Sequence, residues 1–183
     1  MPASHSPPSL PMVLTLQRPE AVIFDMDGLL LDSERVALAC FEAAARALGL
    51  IWDPALGQSL VGRSARDSDR LLQAHYGPDF PLVALRDGFD RAYDDAIQQG
   101  NIPLKPHARA LLDHLERLQI PCAVATSTQR FRAETKLAKC QLLARFKALA
   151  CGDEVTRGKP APDIFELAAA RLGVEPRACL ALE

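Results

Sequence analysis

An excess of charge of either sign is absent from this sequence. Its 183 residues hold 21 Lys and Arg against 23 Asp and Glu, a formal net charge of −2. That balance excludes the broad basic footprint with which proteins hold nucleic-acid phosphates. Long apolar runs are absent too, and none approaches the roughly 18 residues of a membrane span. The opening has neither the basic start nor the long apolar stretch of a signal peptide. Five cysteines are present (Cys40, Cys122, Cys140, Cys151 and Cys179), but without C-x-x-C spacing. They read as reduced, small hydrophobes rather than zinc ligands or a disulfide framework, and they point to the cytoplasm. A monomer with neither a nucleic-acid nor a membrane partner is expected.

What is present begins with a Pro- and Ser-rich stretch over 1–19 that reads as a disordered extension. Ala21-Val22-Ile23-Phe24 then reads as a short buried strand, ended by two carboxylates one residue apart, Asp25 and Asp27, and by Gly28. Asp32-Ser33-Glu34 offers a helix start, with Val36, Cys40, Phe41, Ala44 and Leu48 on one face as far as Gly49. Three further helical segments follow, Leu56 to Val61, Ser64 to His75 and Pro81 to Gln99, punctuated by Gly62, Tyr76-Gly77-Pro78 and Gly100. Alternation of helix and strand resumes beyond Pro103. Helices are expected over Ala108 to Leu118 (stripe Leu111, Leu112, Leu115, Leu118), Gln129 to Leu143 and Asp163 to Leu172. Strands are expected over Pro121 to Thr126, Phe146 to Cys151 and Cys179 to Leu182. This pattern predicts an α/β fold: a Rossmann-like parallel sheet core over 20–32 and 101–183, interrupted by a four-helix insertion over 33–100.

Parallel strands put their C-terminal ends on one edge of the sheet, where open α/β folds bind ligands. The residues there are Asp25 and Asp27, Thr126 and Ser127, Lys159 in the loop after the third strand, and Glu183. Carboxylates, hydroxyls and an ammonium at one spot suit a phosphate ester held with Mg²⁺, which favours one or two carboxylates plus phosphate oxygen and water. Asp25 can attack phosphorus in line to give an aspartyl-phosphate, with Asp27 as acid and then base. Thr126, with Ser127, can bind phosphate oxygens, and Lys159 supplies a point charge. Singly, each has a plainer reading: Asp27-Gly28 as a turn, Thr126 as a helix cap, Lys159 as a solvated lysine.

The same residues carry a resemblance. Phe24-Asp25-Met26-Asp27-Gly28 resembles the D-x-D-G signature of the haloacid dehalogenase-like hydrolases. With Leu29 to Glu34 it is similar to the branch containing phosphoglycolate phosphatase and β-phosphoglucomutase. Val124 to Ser127, Gly158 to Asp163 and Cys179 to Glu183 resemble the later motifs. The resemblance implies a cap domain in the helical insertion, Asp25 as nucleophile, Asp27 as acid/base, and Thr126 and Lys159 as phosphate ligands. It implies Mg²⁺ bound by Asp25 and the Asp27 carbonyl. It also implies two acidic residues after the fourth strand; Glu183 is the first of them and the carboxylate this chain offers there. Further elements would follow, so the chain is expected to be a C-terminally truncated piece with a weakened metal site.

A second aspartate favours phosphoryl over carbon–halogen chemistry. The mutase branch carries a histidine where this chain has Ala37, which favours hydrolysis; a mutase or an impaired phosphate-binding protein remain the alternatives. The expected substrate is a small phosphorylated metabolite. Arg63 and Arg66, at a cap turn, are candidates for a second anionic group on it, against the plainer reading of a solvated helix start. Gln129 and Arg130 are candidates for contact with the leaving group.

Overall fold

The computed structural model describes residues 18–63 and 65–183. The expected extension over 1–19 falls almost wholly outside the described residues, as does Ser64. Four strands, β1 (Ala21–Phe24), β2 (Cys122–Thr126), β3 (Ala148–Cys151) and β4 (Cys179–Leu182), form one sheet in the order β3-β2-β1-β4. Every pairing is parallel, with Phe24 between Val124 and Leu182 and with Thr126 opposite Cys151. All C-terminal ends therefore share one edge.

β1, β2 and β3 are buried at every position and, Thr126 apart, apolar, because both faces are covered. Val22, Phe24, Val124 and Leu149 meet α5 (Ala108–Arg117) and α6 (Arg130–Lys139) on one face. On the other face Ile23, Ala123, Ala125 and Ala150 meet Ile164, Ala168 and Ala169 of α7 (Asp163–Leu172). Alanines on both sides of that contact let the helix approach the sheet closely. Among the described residues strand β4 pairs only with β1, and its Leu180 is 46 % exposed.

Helices α1 (Ser33–Ala47), α2 (Pro54–Leu60), α3 (Ala65–Tyr76) and α4 (Leu82–Gln98) lie between β1 and α5 in the chain. They have an apolar cluster of their own around Phe41, Leu56, Leu60, Leu72 and Leu85. Phe41 stacks on Trp52 and Phe89, with ring centroids 5.8 and 4.0 Å away. The two connections to the sheet run side by side: the Asp32 amide donates to the Pro103 carbonyl at 2.8 Å, and Lys105 to Leu30 at 2.9 Å.

Boundaries differ from expectation in three places. The buried stripe of α5 is Ala108, Leu112 and Leu115, whereas Leu111 and Leu118 are each 40 % exposed. Helix α6 stops at Lys139 because the chain turns at Gln141, whose φ is +58°, into a short 3₁₀ turn over Leu143–Arg145. β3 consequently starts at Ala148. Among the described residues no helix is long and apolar enough to cross a membrane.

A clamp ties β3, α6 and α7 together just beyond the sheet. The Glu154 carboxylate accepts from Arg171 at 2.9 Å, from Arg130 at 2.7 Å and from the Cys151 amide at 2.9 Å. Arg130 also reaches Glu134 at 2.8 Å and the Leu149 carbonyl at 3.0 Å. Its guanidinium is thus committed to the scaffold, which corrects its expected place beside a leaving group. Hydrogen bonding from Arg171 and Arg130, against the upward push of burial, holds the Glu154 carboxyl at about 2 instead of the usual 4.5. The folded carboxyl stays ionised where the unfolded one takes up a proton. Its stabilising contribution is therefore complete above about pH 4.5 and is lost as the pH falls toward 2. In Glu154→Gln, chemical denaturation across that window should show a pH slope shallower by close to one proton; an unchanged slope would refute the clamp.

Candidate active site

β1 ends at Phe24, and the Asp25 amide continues its ladder by donating to the Leu182 carbonyl at 2.8 Å. The chain then doubles back. The Met26 carbonyl accepts from Leu30 and Leu31, both at 3.0 Å, and the Gly28 amide donates to Leu31 at 2.9 Å. Gly28 makes this loop with φ +83°, in the left-handed region that glycine enters without steric cost. Met26 is fully buried inside the loop, so the residues on either side, Asp25 and Asp27, carry their carboxylates away from it.

They carry them to different partners. Asp25 Oδ1 accepts the Met26 amide at 2.7 Å and lies 3.1 Å from Lys159 Nζ. The same ammonium is 2.9 Å from Glu183 Oε1 and 4.8 Å above the Phe165 ring. Asp27 Oδ1 lies 2.8 Å from Lys136 Nζ, and its Oδ2 accepts the Thr128 hydroxyl at 2.7 Å. Lys136 is 3 % exposed and sits 5.0 Å above the Tyr93 ring of α4. Burial pushes the Asp25 carboxyl up, only partly offset by Lys159 and the Met26 amide. Burial also pushes Asp27 up, but Lys136 and the surrounding hydroxyls outweigh it and hold that carboxyl below the usual range. Lys136 is shifted in the complementary direction: the Asp27 charge overcomes burial and keeps it an ammonium.

Thr126 is buried at the end of β2, and its Oγ1 accepts the Thr128 amide at 3.1 Å. That bond shapes the turn which delivers Thr128 to Asp27. Its hydroxyl hydrogen has no protein acceptor among the described residues. Ser127 is exposed and serves the turn through its backbone: a Cβ on Gly152 would stand 2.2 Å from the Ser127 carbonyl oxygen. The structure therefore brings Asp25, Lys159 and Glu183 together, sets Asp27 beside them on its own cation, and turns the Ser127 backbone toward Gly152.

A cavity of about 470 Å³ opens beside Lys159 and Glu183, lined also by Pro160–Pro162, Phe165 and, from the α2–α3 turn, Gly62. Arg63 and Arg66 do not line it. Arg63 is exposed and donates from Nε to the Ser59 carbonyl at 2.6 Å, and Arg66 is exposed on α3. Lys136 and Thr128 were missed by the sequence reading. Lys136 had a signal, since it falls with Ala133 and Leu137 on the inward stripe of α6, where a charge is out of place unless paired.

For a metal, the donors on offer are hard oxygens. Asp25 Oδ2 has no protein partner among the described residues, and Glu183, 62 % exposed, reaches the same ammonium. Among the described residues no cluster of three or more His, Cys, Asp or Glu is gathered. One or two carboxylates with substrate oxygens and water fit Mg²⁺ rather than a transition metal.

A family model described as haloacid dehalogenase-like hydrolase matches residues 19–183. The chain is 34 % identical over 167 residues to a Drosophila melanogaster protein named probable pseudouridine-5'-phosphatase, covering 88 % of this chain and 71 % of that one. It is 29 % identical over 170 residues to the phosphorylated carbohydrates phosphatase of Thermotoga maritima, covering 90 % and 76 %. Among solved structures it resembles CbbY from Rhodobacter sphaeroides in complex with phosphate, with TM-score 0.71 and 28 % identity, covering 90 % of this chain and 77 % of that one.

Removing one member of the buried Asp27–Lys136 pair leaves the other charge uncompensated. Lys136→Met should destabilise the fold by about 3–5 kcal/mol in urea unfolding. Adding Asp27→Asn should recover most of that loss, because no buried charge then remains. Equal stability of the single variant and the parent would show that the pair is not formed in solution.

Proposed function

This chain belongs to the haloacid dehalogenase-like hydrolase family, and from that membership we propose that it is a phosphatase of small phosphomonoesters working through an aspartyl-phosphate on Asp25. The observation that carries the reading is the strand tip itself. Asp25 has one oxygen tied to Lys159 and Met26 and the other without a protein partner among the described residues, and the Lys159 it meets lines the cavity at this edge. The names of two relatives, phosphatases of pseudouridine 5'-phosphate and of phosphorylated carbohydrates, support the same chemistry.

The free Asp25 oxygen attacks phosphorus while the ester oxygen leaves with a proton relayed by Asp27; because Asp27 rests as a carboxylate, that proton enters the first cycle with the phosphomonoester monoanion. Water then attacks the aspartyl-phosphate, its proton passing to Asp27, and phosphate departs with Asp25 regenerated. Lys159 sets its charge beside both the nucleophile and the phosphoryl oxygens, and the Thr126 hydroxyl donates to one of those oxygens. The Lys136 ammonium and Thr128 hydroxyl favour the carboxylate form of Asp27, the form that the water step needs. Mg²⁺, held by the Asp25 carboxylate, the Asp27 carbonyl and Glu183, would neutralise repulsion between the nucleophile and the anionic phosphoryl group. We assign residues 33–100 the role of a cap over this edge. The side-by-side connections at Asp32 and Pro103 support that assignment, as does Gly62 facing Lys159. Ala37 offers no imidazole on the cap side, which supports hydrolysis over phosphoryl return.

Release of p-nitrophenol and phosphate from p-nitrophenyl phosphate with Mg²⁺ tests the reading. Asp25→Asn should lose at least about 10³-fold in kcat. Asp27→Asn should lose about 10²–10⁴-fold. Because p-nitrophenol leaves without protonation, the latter variant should still give a burst of about one equivalent per chain as the phospho-enzyme accumulates. Activity indifferent to Asp25→Asn would overturn the mechanism.

A further inference from the structure

A second cavity, of about 300 Å³, lies at the edge of the sheet away from Asp25. Two of its lining residues mark that edge: Cys122 opens β2, and Lys147 precedes the first residue of β3. Thr126, at the other end of β2, is about 13 Å from Cys122 along the strand. The two cavities share no lining residue. Buried Leu112, Ile120 and Cys122 give this one an apolar interior, with Pro121 and Ala144 nearer the surface.

Its charged lining carries both signs. Arg145, in the 3₁₀ turn after α6, is 20 % exposed, and its Nη2 lies 2.8 Å from Asp113 and 2.9 Å from Glu116. Neither contact has hydrogen-bond geometry, and among the described residues this guanidinium donates to no acceptor. Lys147 is exposed, and its ammonium has no partner among the described residues. Glu116 lines the same space and stays 72 % exposed. An exposed ion pair by itself contributes little. Here, however, a fork of N–H donors is unmatched in the wall of an apolar cavity, and a second, unpaired cation lines the same wall.

We propose that this cavity binds a small α-amino acid with an apolar side chain, held at both ends of its zwitterion. Arg145 and Lys147 take the carboxylate, for which the planar guanidinium fork is a geometric match. Glu116 takes the ammonium, and the side chain lies on Leu112, Ile120 and Cys122. Other ligand classes leave charges unmatched. A phosphate dianion meets the two carboxylates of α5, and a plain amine offers nothing to Arg145 and Lys147. An uncharged apolar ligand leaves all three groups without a counter-charge. The volume stands at the lower end of the range for small-molecule sites, about 300–1,000 Å³. This site is independent of the phosphatase reading.

Calorimetric titration of the full chain decides it with three probes that share an isobutyl group. They are L-leucine, 4-methylpentanoate, which lacks the ammonium, and 3-methylbutylamine, which lacks the carboxylate. L-Leucine should bind with Kd below about 1 mM, and each singly charged probe at least about 10-fold more weakly. Lys147→Met should weaken L-leucine and 4-methylpentanoate by about 10-fold and leave 3-methylbutylamine unchanged. Glu116→Gln should weaken L-leucine and 3-methylbutylamine by about 10-fold and spare 4-methylpentanoate. Both positions are exposed, so urea unfolding of the two variants should match that of the parent. Ala144→Phe, filling the cavity from an exposed position, should abolish binding of all three probes. Absence of L-leucine binding at about 10 mM overturns the proposal. Equal affinity for L-leucine and 4-methylpentanoate overturns it too, as does binding that both charge variants leave intact. Turnover of p-nitrophenyl phosphate does not enter these readouts, so failure here leaves the phosphatase reading standing.

Discussion

Asp25 and Asp27 stand at one strand tip, where burial and mutual repulsion both oppose two ionised carboxylates. Two ammonium groups offset that cost, and they arrive from different parts of the chain: Lys159 from the loop after β3 and Lys136 from the inward face of α6. The separation matters because the carboxylates end in different electrostatic states. Asp25 keeps one oxygen open and its carboxyl pushed upward by burial, while Asp27 is enclosed by an ammonium and a hydroxyl and held as a carboxylate. The proposed roles of nucleophile and proton carrier call for such unlike surroundings, and the two residues are one apart.

The scaffold exists to bring those two cations in. A parallel sheet aligns every C-terminal strand end on one edge, and the alanine-lined contact with α7 keeps the β3–α7 loop, and thus Lys159, close above β1. The Glu154 clamp fixes the same loop to α6 through Arg130 and Arg171. On the other face α6 carries Lys136 under Tyr93 of α4, and Arg132 of α6 pairs with Asp90 and Asp94 of that helix at 3.1 and 2.8 Å. The surroundings of Asp27 are thereby shared between the sheet core and the helical insertion.

The parallel core and the four inserted helices were legible because their signals are local. Short apolar runs ending in Asp, Thr or Glu mark the strands, and turn glycines divide the helices. Asp25, Lys159 and Glu183 could be grouped on paper, since strand order alone sends them to one edge. The surroundings of Thr128, Lys136 and Arg130 could not. Lys136 sits amid a mixed-charge helix, and its burial depends on where α6 meets α4. Arg130 follows the Thr126–Thr128 turn in sequence, yet its guanidinium points back to Glu154. Ser127 looks equivalent to Thr126, but their neighbours differ: one hydroxyl is enclosed at the strand end, and the other residue turns its carbonyl onto Gly152.

Residue order along the chain was enough to establish an α/β core, a helical insertion after the first strand, and an acidic strand tip able to carry phosphoryl chemistry. These follow from periodicity and from the topological rule that parallel strands end together. Only the folded arrangement decided which cation serves which carboxylate and which arginines are spent on the scaffold. Such pairings join residues about a hundred positions apart, as Asp27 and Lys136 do. Their energies depend on burial and ångström-scale distance, which no local pattern encodes.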